Sequence, residues 1–413
     1  MRIAIATWTR RAVGGVETYL GDLVPALAAA GHHLAFWCEI DRPVDRPPIA
    51  MPHGTPVYCA ETDGRAVAIA HLRAWAPEVL FAHDLQDPST ERQLLEVAPG
   101  VCLAHNYHGT CVGGSKTFKS PGIVPCSRRF GWPCLLHYYP RRCGGWSPTT
   151  MWREFRRQAD RLDALSGYRC IVTLSSHMRE EYVRHGFDAR QVYALHGEPP
   201  APEPPAQADP VEAHEGGHGQ PWRLLFAGRM DELKGGGYLL DALPEVVCAL
   251  GVPIHVTMAG DGPSRERWQR RAAAHQARDA RLRVEFPGWL DREGIEERLG
   301  RSDLLVLPSL WPEPFGLVGL EAIRRAVPVA AFAVGGVPDW LRPGVNGHLA
   351  DGNPPRPRGL AAAIVACLKD RRTHAALRQG ASRTAVDRAF HDHVGVLTRL
   401  FEQIVGEEPR RTQ

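Results

Sequence analysis

The sequence predicts an α/β protein made of two parallel-sheet domains. Three observations carry that expectation: short apolar runs alternate with helix-periodic segments in both halves, a Pro- and Gly-rich break separates the halves, and the chain has 413 residues. Alternating strands and helices imply parallel sheets with right-handed crossovers. A chain of this length fits two cores of roughly 200 residues each better than one.

Taken in order, "RIAIATW" opens as a strand, and "GGVETYLGDLVPALAAAG" has helical periodicity closed by Gly31. "HLAFWCEI", "EVLFAHD" and "VCLAHNY" read as further strands. "CIVTLSSHMREEYVRHGF" gives strand, turn and helix, and "VYALHGE" ends the half. Residues 199–221, "PPAPEPPAQADPVEAHEGGHGQP", offer almost nothing to bury and read as a linker. Alternation resumes with "WRLLFAGR", "IHVTMAGDG", "RVEFPGWL", "DLLVLPS" and "VPVAAFAVGG". The expected organisation is an N-terminal domain over 1–198 with an insertion at about 105–150, the linker, and a second domain over 222–390. Residues 391–413 should form a helix packing back on the first domain, followed by a charged tail. Ligands of open parallel sheets bind at the carboxyl ends of the strands, so a cleft faced by both sheets is the expected site.

Composition is that of a soluble globular protein, 44% hydrophobic and 23% charged. A net charge of +3 gives the whole molecule no call on nucleic acid. The apolar run at the start is too short for a signal peptide, and none approaches a membrane span of about 18 residues. A cytoplasmic protein is expected. Six of the ten cysteines (Cys38, Cys59, Cys102, Cys170, Cys248 and Cys367) sit among apolar residues and read as small buried hydrophobes.

Three stretches carry chemistry. Gly14 and Gly15 stand where the first strand turns into a helix, a place where amides and the helix dipole can meet an anion. Pairs of this kind are also often plain turns. In "FAGRMDELKGGGYLLDAL", Arg229 and Lys234 follow a strand end, and a forked guanidinium with a mobile ammonium suits a diphosphate. This is no Walker loop, because G-x-x-x-x-G-K-[ST] is missing. In "DLLVLPSLWPEPFGLVGLEAIRR", Glu313 falls on a loop and Glu321 about a turn into a helix. The amides of Phe315, Gly316, Leu317 and Val318 open that helix. Carboxylates so placed accept from hydroxyls, as an acidic residue does from ribose in dinucleotide folds.

"GGVE", "GRMDELKG" and "EPFGLVGLE", in that order along nearly the whole chain, resemble the motif set of the retaining glycosyltransferases of family 4. The resemblance implies the GT-B fold, two Rossmann-like domains facing a central cleft, and a nucleotide-sugar donor. It gives Glu321 to the donor ribose and Glu313 to hydroxyls of the donor sugar, with the amides of residues 316–318 helping sugar and phosphates. Arg229 and Lys234 would neutralise the departing diphosphate, with Gly15 approaching from the other domain. The family's active-site histidine corresponds best to His105, with His83 one strand earlier as rival. Two cations and no Asp-x-Asp motif imply metal-independent transfer. The resemblance implies retention, and the family's habits, with the basic insertion at about 105–150, imply a hydroxyl of a glycan or lipid-linked acceptor in cell-surface polysaccharide or glycoconjugate synthesis. A nucleotide-sugar epimerase or hydrolase, or a catalytically silent binding protein of the same fold, are the competing readings. A glycosidase using Glu313 and Glu321 as its carboxylate pair would leave Arg229 and Lys234 without a task.

Cys111, Cys126, Cys134 and Cys143, spaced 15, 8 and 9 apart, would suit one structural Zn²⁺ or an iron–sulfur cluster, or else remain thiols. From 111 to 161 ten Lys and Arg (116, 119, 128, 129, 141, 142, 153, 156, 157, 161) face two acids, Glu154 and Asp160. Interleaved aromatics such as Phe130, Trp132, Tyr139 and Trp146 make this a candidate for an anionic membrane surface at the inner face, or for an acidic acceptor. A solvated face over packed aromatics is the plainer alternative.

Overall fold

Ile3, Ala4, Ile5 and Ala6 of the first strand, β1 (Arg2–Thr9), are all fully buried. A strand covered on both faces must be apolar at every position rather than at alternate ones, which is why these strands read as continuous runs. The computed structural model describes residues 1–11, 14–42, 44, 46–195, 220–389 and 393–406. The predicted linker, except for residues 220 and 221, and the charged tail from 407 lie outside the described residues.

Two compact units emerge, one of residues 1–115, 128–202 and 391–413, the other of 116–127 and 203–390. In the first, β1, β2 (His33–Ile40), β3 (Val57–Cys59), β4 (Val79–His83) and β5 (Gly100–Ala104) form the body of a parallel sheet. After β6 (Thr117–Phe118) and β7 (Val124–Pro125), β8 (Cys170–Thr173) and β9 (Val192–Ala194) complete it. Its order is β3-β2-β1-β4-β5-β8-β9, doubly wound with the switch point between β1 and β4. Helix His393–Gly406 belongs to this unit and buries His393, Leu397, Phe401 and Ile404. Phe401 meets Phe81 of β4 edge to face at 5.1 Å, and His32 Nε2 lies 2.9 Å from Thr398 Oγ1.

In the second unit β10 (Trp222–Ala227), β11 (Ile254–Ala259), β12 (Leu282–Gly288), β13 (Leu304–Leu307), β14 (Val329–Phe332) and β15 (Gly347–Ala350) form a six-stranded parallel sheet. The order β12-β11-β10-β13-β14-β15 puts its switch point between β10 and β13. Its core runs from Trp222, Leu224 and Phe226 through Val256 and Met258 to Ile364 and Leu368.

The insertion expected at about 105–150 contains regular elements. β6 and β7 pair as an antiparallel hairpin belonging to the second unit, and Ile123 between them packs on that unit's core. Helices Pro133–Tyr138 and Pro148–Leu165 follow, both started by Pro in the first turn, where its missing N–H costs nothing. Cys248 departs from the expectation of burial: it sits exposed near the end of helix Gly236–Leu250, while Cys38, Cys59, Cys102, Cys170 and Cys367 are buried.

Candidate functional site

Two loops meet at the switch point of the second sheet, one leaving β10 and one leaving β13. On the first, Asp231 caps a single 3₁₀ turn (Glu232–Lys234), its carboxylate accepting from the amides of Leu233 and Lys234 at 3.0 and 3.1 Å. Gly235 then takes φ +71°, and a Cβ there would lie 1.7 Å from the Pro308 carbonyl oxygen of the other loop. Only glycine permits that approach. The Leu310 amide donates to the Leu233 carbonyl at 2.7 Å, tying the two loops together.

This seam brings Lys234 and Glu313 into contact. Lys234 Nζ donates to Glu313 Oε1 at 2.7 Å, and the ammonium also lies 5.2 Å from the centre of the Trp311 ring. Ser309 Oγ donates to the same Oε1. The Glu313 side chain is only 6% exposed and that of Lys234 29%. Gly336 N holds the Glu313 carbonyl at 2.7 Å, and at Gly335 (φ +56°) a Cβ would fall 2.1 Å from that same oxygen. The glutamate is therefore fixed from its backbone outward.

Arg229 sits on the same loop with its side chain 73% exposed, its Nε 3.6 Å from Asp231 Oδ2. Helix Leu317–Arg324 starts beside Glu313 with Gly316 at φ +86° as its cap, and Trp340 Nε1 donates to the Phe315 carbonyl at 2.7 Å. Phe315 is buried, while Gly316, Leu317, Val318 and Glu321 are half-buried. Of the residues the sequence singled out, the structure brings Lys234 and Glu313 into contact, with Arg229 on the same loop and the helix start beside Glu313. Sequence reasoning missed Ser309, Trp311 and Trp340, which hold them. Ser309, one helical turn before Glu313 in number, was the one local signal.

In the first unit the strand ends around β1 and β4 carry the other candidates. Helix Gly15–Ala29 begins with Gly15 exposed, and Gly14 at its cap is extended (φ −164°). Gly14 N donates to Glu17 Oε2 at 2.8 Å, and Trp8 Nε1 donates to Glu17 Oε1 at 3.1 Å. Glu17 thus already holds a donor at the start of this helix, and burial pushes its carboxyl above the usual range. His83 ends β4, and His105 lies just past β5. Their rings are in contact, His83 Nδ1 to His105 Nε2 at 3.0 Å. Burial lowers both imidazoles, His105 to about 4 and His83 well below its ordinary value. Asp84, at φ +45°, takes Asn106 Nδ2 and His108 Nδ1 on one oxygen. Burial pushes that carboxyl up, but His108 and Asn106 outweigh it and hold it below the ordinary range.

Cys111, Cys126, Cys134 and Cys143 are the metal ligands the sequence offers. Among the described residues no group of three or more His, Cys, Asp or Glu is placed to hold a metal ion. By compact unit, Cys126 is grouped with the second and Cys111, Cys134 and Cys143 with the first. Cys134 Sγ reaches the Arg129 carbonyl at 3.9 Å and Cys143 Sγ the His137 carbonyl at 3.8 Å. No helix among the described residues is long and apolar enough to cross a membrane.

Two doubly wound parallel-sheet domains in one chain are the architecture of the GT-B fold, which solved glycosyltransferases share. Residues 13–197 match the model for "Glycosyltransferase Family 4" and residues 212–384 that for "Glycosyl transferases group 1". The chain belongs to the family 4 glycosyltransferases. A glycogen synthase of Mycobacterium tuberculosis is 27% identical over 90% of this chain and 86% of its own. A D-inositol 3-phosphate glycosyltransferase of Thermobispora bispora is 36% identical over 39% of this chain and 38% of its own. Among solved structures, Anabaena Alr3699/HepE in complex with UDP superposes with a TM-score of 0.64 at 18% identity, covering 98% of this chain and 100% of that one. WaaG, a glycosyltransferase involved in lipopolysaccharide biosynthesis, gives 0.64 at 16% identity over 98% and 100%.

Proposed function

We propose that this enzyme moves a sugar from a nucleoside diphosphate sugar to a hydroxyl of a glycan or lipid-linked acceptor, with retention at the anomeric carbon and without a divalent metal. The observation that carries the reading is the seam at the second sheet's switch point, where Lys234, Glu313, Arg229 and a helix start stand together. Breaking a sugar–phosphate bond builds negative charge on the diphosphate. Fixed cations and helix-end amides placed where that charge grows lower the barrier most. Arg229, largely exposed, is available for forked bonds to phosphate oxygens, and Lys234 supplies a second positive charge.

Glu313 serves two partners in this reading. Both of its bonds end on Oε1, which leaves Oε2 for a hydroxyl of the donor sugar. Glu321, a turn into the helix, takes the ribose. The acceptor hydroxyl then attacks the face the diphosphate leaves, and a donor phosphate oxygen takes its proton. The relatives support the donor class: solved structures of Alr3699/HepE hold UDP and UDP-glucose.

A glycan or lipid-linked acceptor in surface polysaccharide synthesis is supported by an exposed basic and aromatic face on the first unit. Trp132 (69% exposed), Trp146 (72%), Trp152 and Leu136 stand out from it among exposed Arg128, Arg129, Arg142, Arg153, Arg156 and Arg157. This composition suits the anionic inner face of a membrane, with the enzyme cytoplasmic and peripheral.

The test is a thermal-shift screen against UDP, GDP, ADP and their sugars, followed by transfer assays with and without EDTA and NMR of the product's anomeric proton. Stabilisation by one nucleoside diphosphate, EDTA-insensitive turnover and a retained anomer are expected. An inverted product or abolition by EDTA refutes the corresponding part. Flotation with anionic vesicles at low salt tests the membrane face, and no binding removes it.

A further inference from the structure

A neutral imidazole has one N–H and one bare nitrogen, so a contact between two ring nitrogens fixes where each ring carries its proton. His83 Nδ1 and His105 Nε2 stand 3.0 Å apart, a hydrogen bond in which one ring donates. Two protonated rings would oppose N–H to N–H, and the shared burial of the pair disfavours that state.

The surroundings of His83 decide the direction. Its ring is fully buried, edge to face with Phe81 at 4.2 Å and tilted against Tyr19 at 6.0 Å. Its other nitrogen, Nε2, is buried without a hydrogen-bond partner. If His105 were the donor, His83 would carry its proton on Nε2, as a buried N–H bonded to nothing. If His83 donates, Nε2 is a bare nitrogen and every ring proton of His83 is used. Orphaned buried N–H groups are the rarer and costlier of the two.

We propose that His83 is a positioning residue: it donates from Nδ1 to His105 Nε2 and so holds His105 in the Nδ1–H tautomer. His105 then presents a fixed neutral N–H. It serves as a hydrogen-bond donor to a sugar hydroxyl and cannot be the base that takes the acceptor's proton. This fits a reaction in which the donor's own phosphate takes that proton, and it rests on the placing of His105 in the active site. Tyr19 backs the pair, its ring 5.4 Å from that of His105 and its hydroxyl 2.8 Å from His393 Nε2.

Long-range ¹H–¹⁵N spectra of the histidine side chains test the direction in the full chain. The expected result is His105 with a protonated Nδ1 and a bare Nε2. A proton on His105 Nε2 in the wild-type spectrum overturns the proposal by itself. His83→Asn keeps an amide N–H near the place of Nδ1 and should keep the tautomer and most of the turnover. His83→Leu removes the donor, and should let the His105 signals move to tautomer-averaged values. Turnover should then fall roughly 10- to 100-fold, the range for losing a partner that orients a functional histidine. Equal loss in both variants also overturns the proposal. If the tautomer is as stated and His83→Leu turns over normally, the hydrogen-bond direction stands and the placing of His105 in the active site falls.

Discussion

Lys234 and Glu313 are 79 positions apart in the chain and 2.7 Å apart in the fold, so their coupling measures how firmly the seam at the switch point is held. Coulomb's law at 2.7 Å with an effective dielectric of about 20 gives roughly 6 kcal/mol of gross attraction. Two terms reduce it. The Glu313 side chain, 6% exposed, has lost most of its hydration, and the Lys234 side chain at 29% exposure remains partly screened by water. A net coupling of about 1–3 kcal/mol is expected. The experiment is a double-mutant cycle of Lys234→Ala, Glu313→Ala and the double variant, read by urea unfolding with a probe in the second unit. Glu313→Ala should cost more than an exposed-site change, because it strands an ammonium whose remaining neighbour is the Trp311 ring. The double variant should be less destabilised than the sum of the singles. Additivity within about 0.3 kcal/mol would show that the pair carries no interaction and refute the reasoning. The same three proteins serve a kinetic test, since each single change should lower turnover by orders of magnitude if both residues act on one diphosphate-sugar.

Acid should weaken the first unit through its histidines. His105 titrates near 4 when folded against an ordinary value of 6.5, and His83 moves the same way. The unfolded chain therefore binds protons first, so this stability is intact above pH 6.5 and is lost on acidification towards 4, on the order of 3 kcal/mol for His105. Urea unfolding of wild type and His105→Asn between pH 7.5 and 4.5 checks it, and identical pH slopes would count against it. Gly335→Ala should cost several times what Gly344→Ala costs. Both have positive φ, but only the first would drive a Cβ to 2.1 Å from the Glu313 carbonyl, whereas nothing lies within 4 Å of the second. Equal melting temperatures would refute that. Phe401→Ala removes a fully buried ring packed on Phe81 and should cost about 3–5 kcal/mol, seen by calorimetry as loss of the first unit's transition. A shift near zero would mean the helix is dispensable.

The strands could be read from the chain because burial on both faces forces unbroken apolar runs, as at Ile3–Ala6 and Leu304–Leu307. Arg229, Lys234 and Glu313 were visible because glycines and prolines mark loops at strand ends. Their partnership was not, because no local pattern tells that the loop after β10 meets the loop after β13. The ambiguity between His83 and His105 has the same root. β4 and β5 are parallel neighbours with His83 opposite Leu103, so both histidines arrive at one place and neither excludes the other. Spacing also could not show that the β6–β7 hairpin groups with the second unit, nor that Cys248 falls on the outer side of its helix.

Helix His393–Gly406 covers part of a sheet whose first strand begins at Arg2. Tyr19, Phe81 and His32 find their partners His393, Phe401 and Thr398 more than 300 residues along. During synthesis from the N-terminus, the first sheet therefore emerges from the ribosome with this groove uncovered. It stays so while the whole second unit is made, about 10–40 s at ordinary elongation rates. The second unit's residues 203–390, by contrast, come out in a single run. Residues 393–406 thus complete the first unit late in synthesis, and a chain cut short before them would leave the ribosome with an aromatic groove exposed to chaperones and proteases.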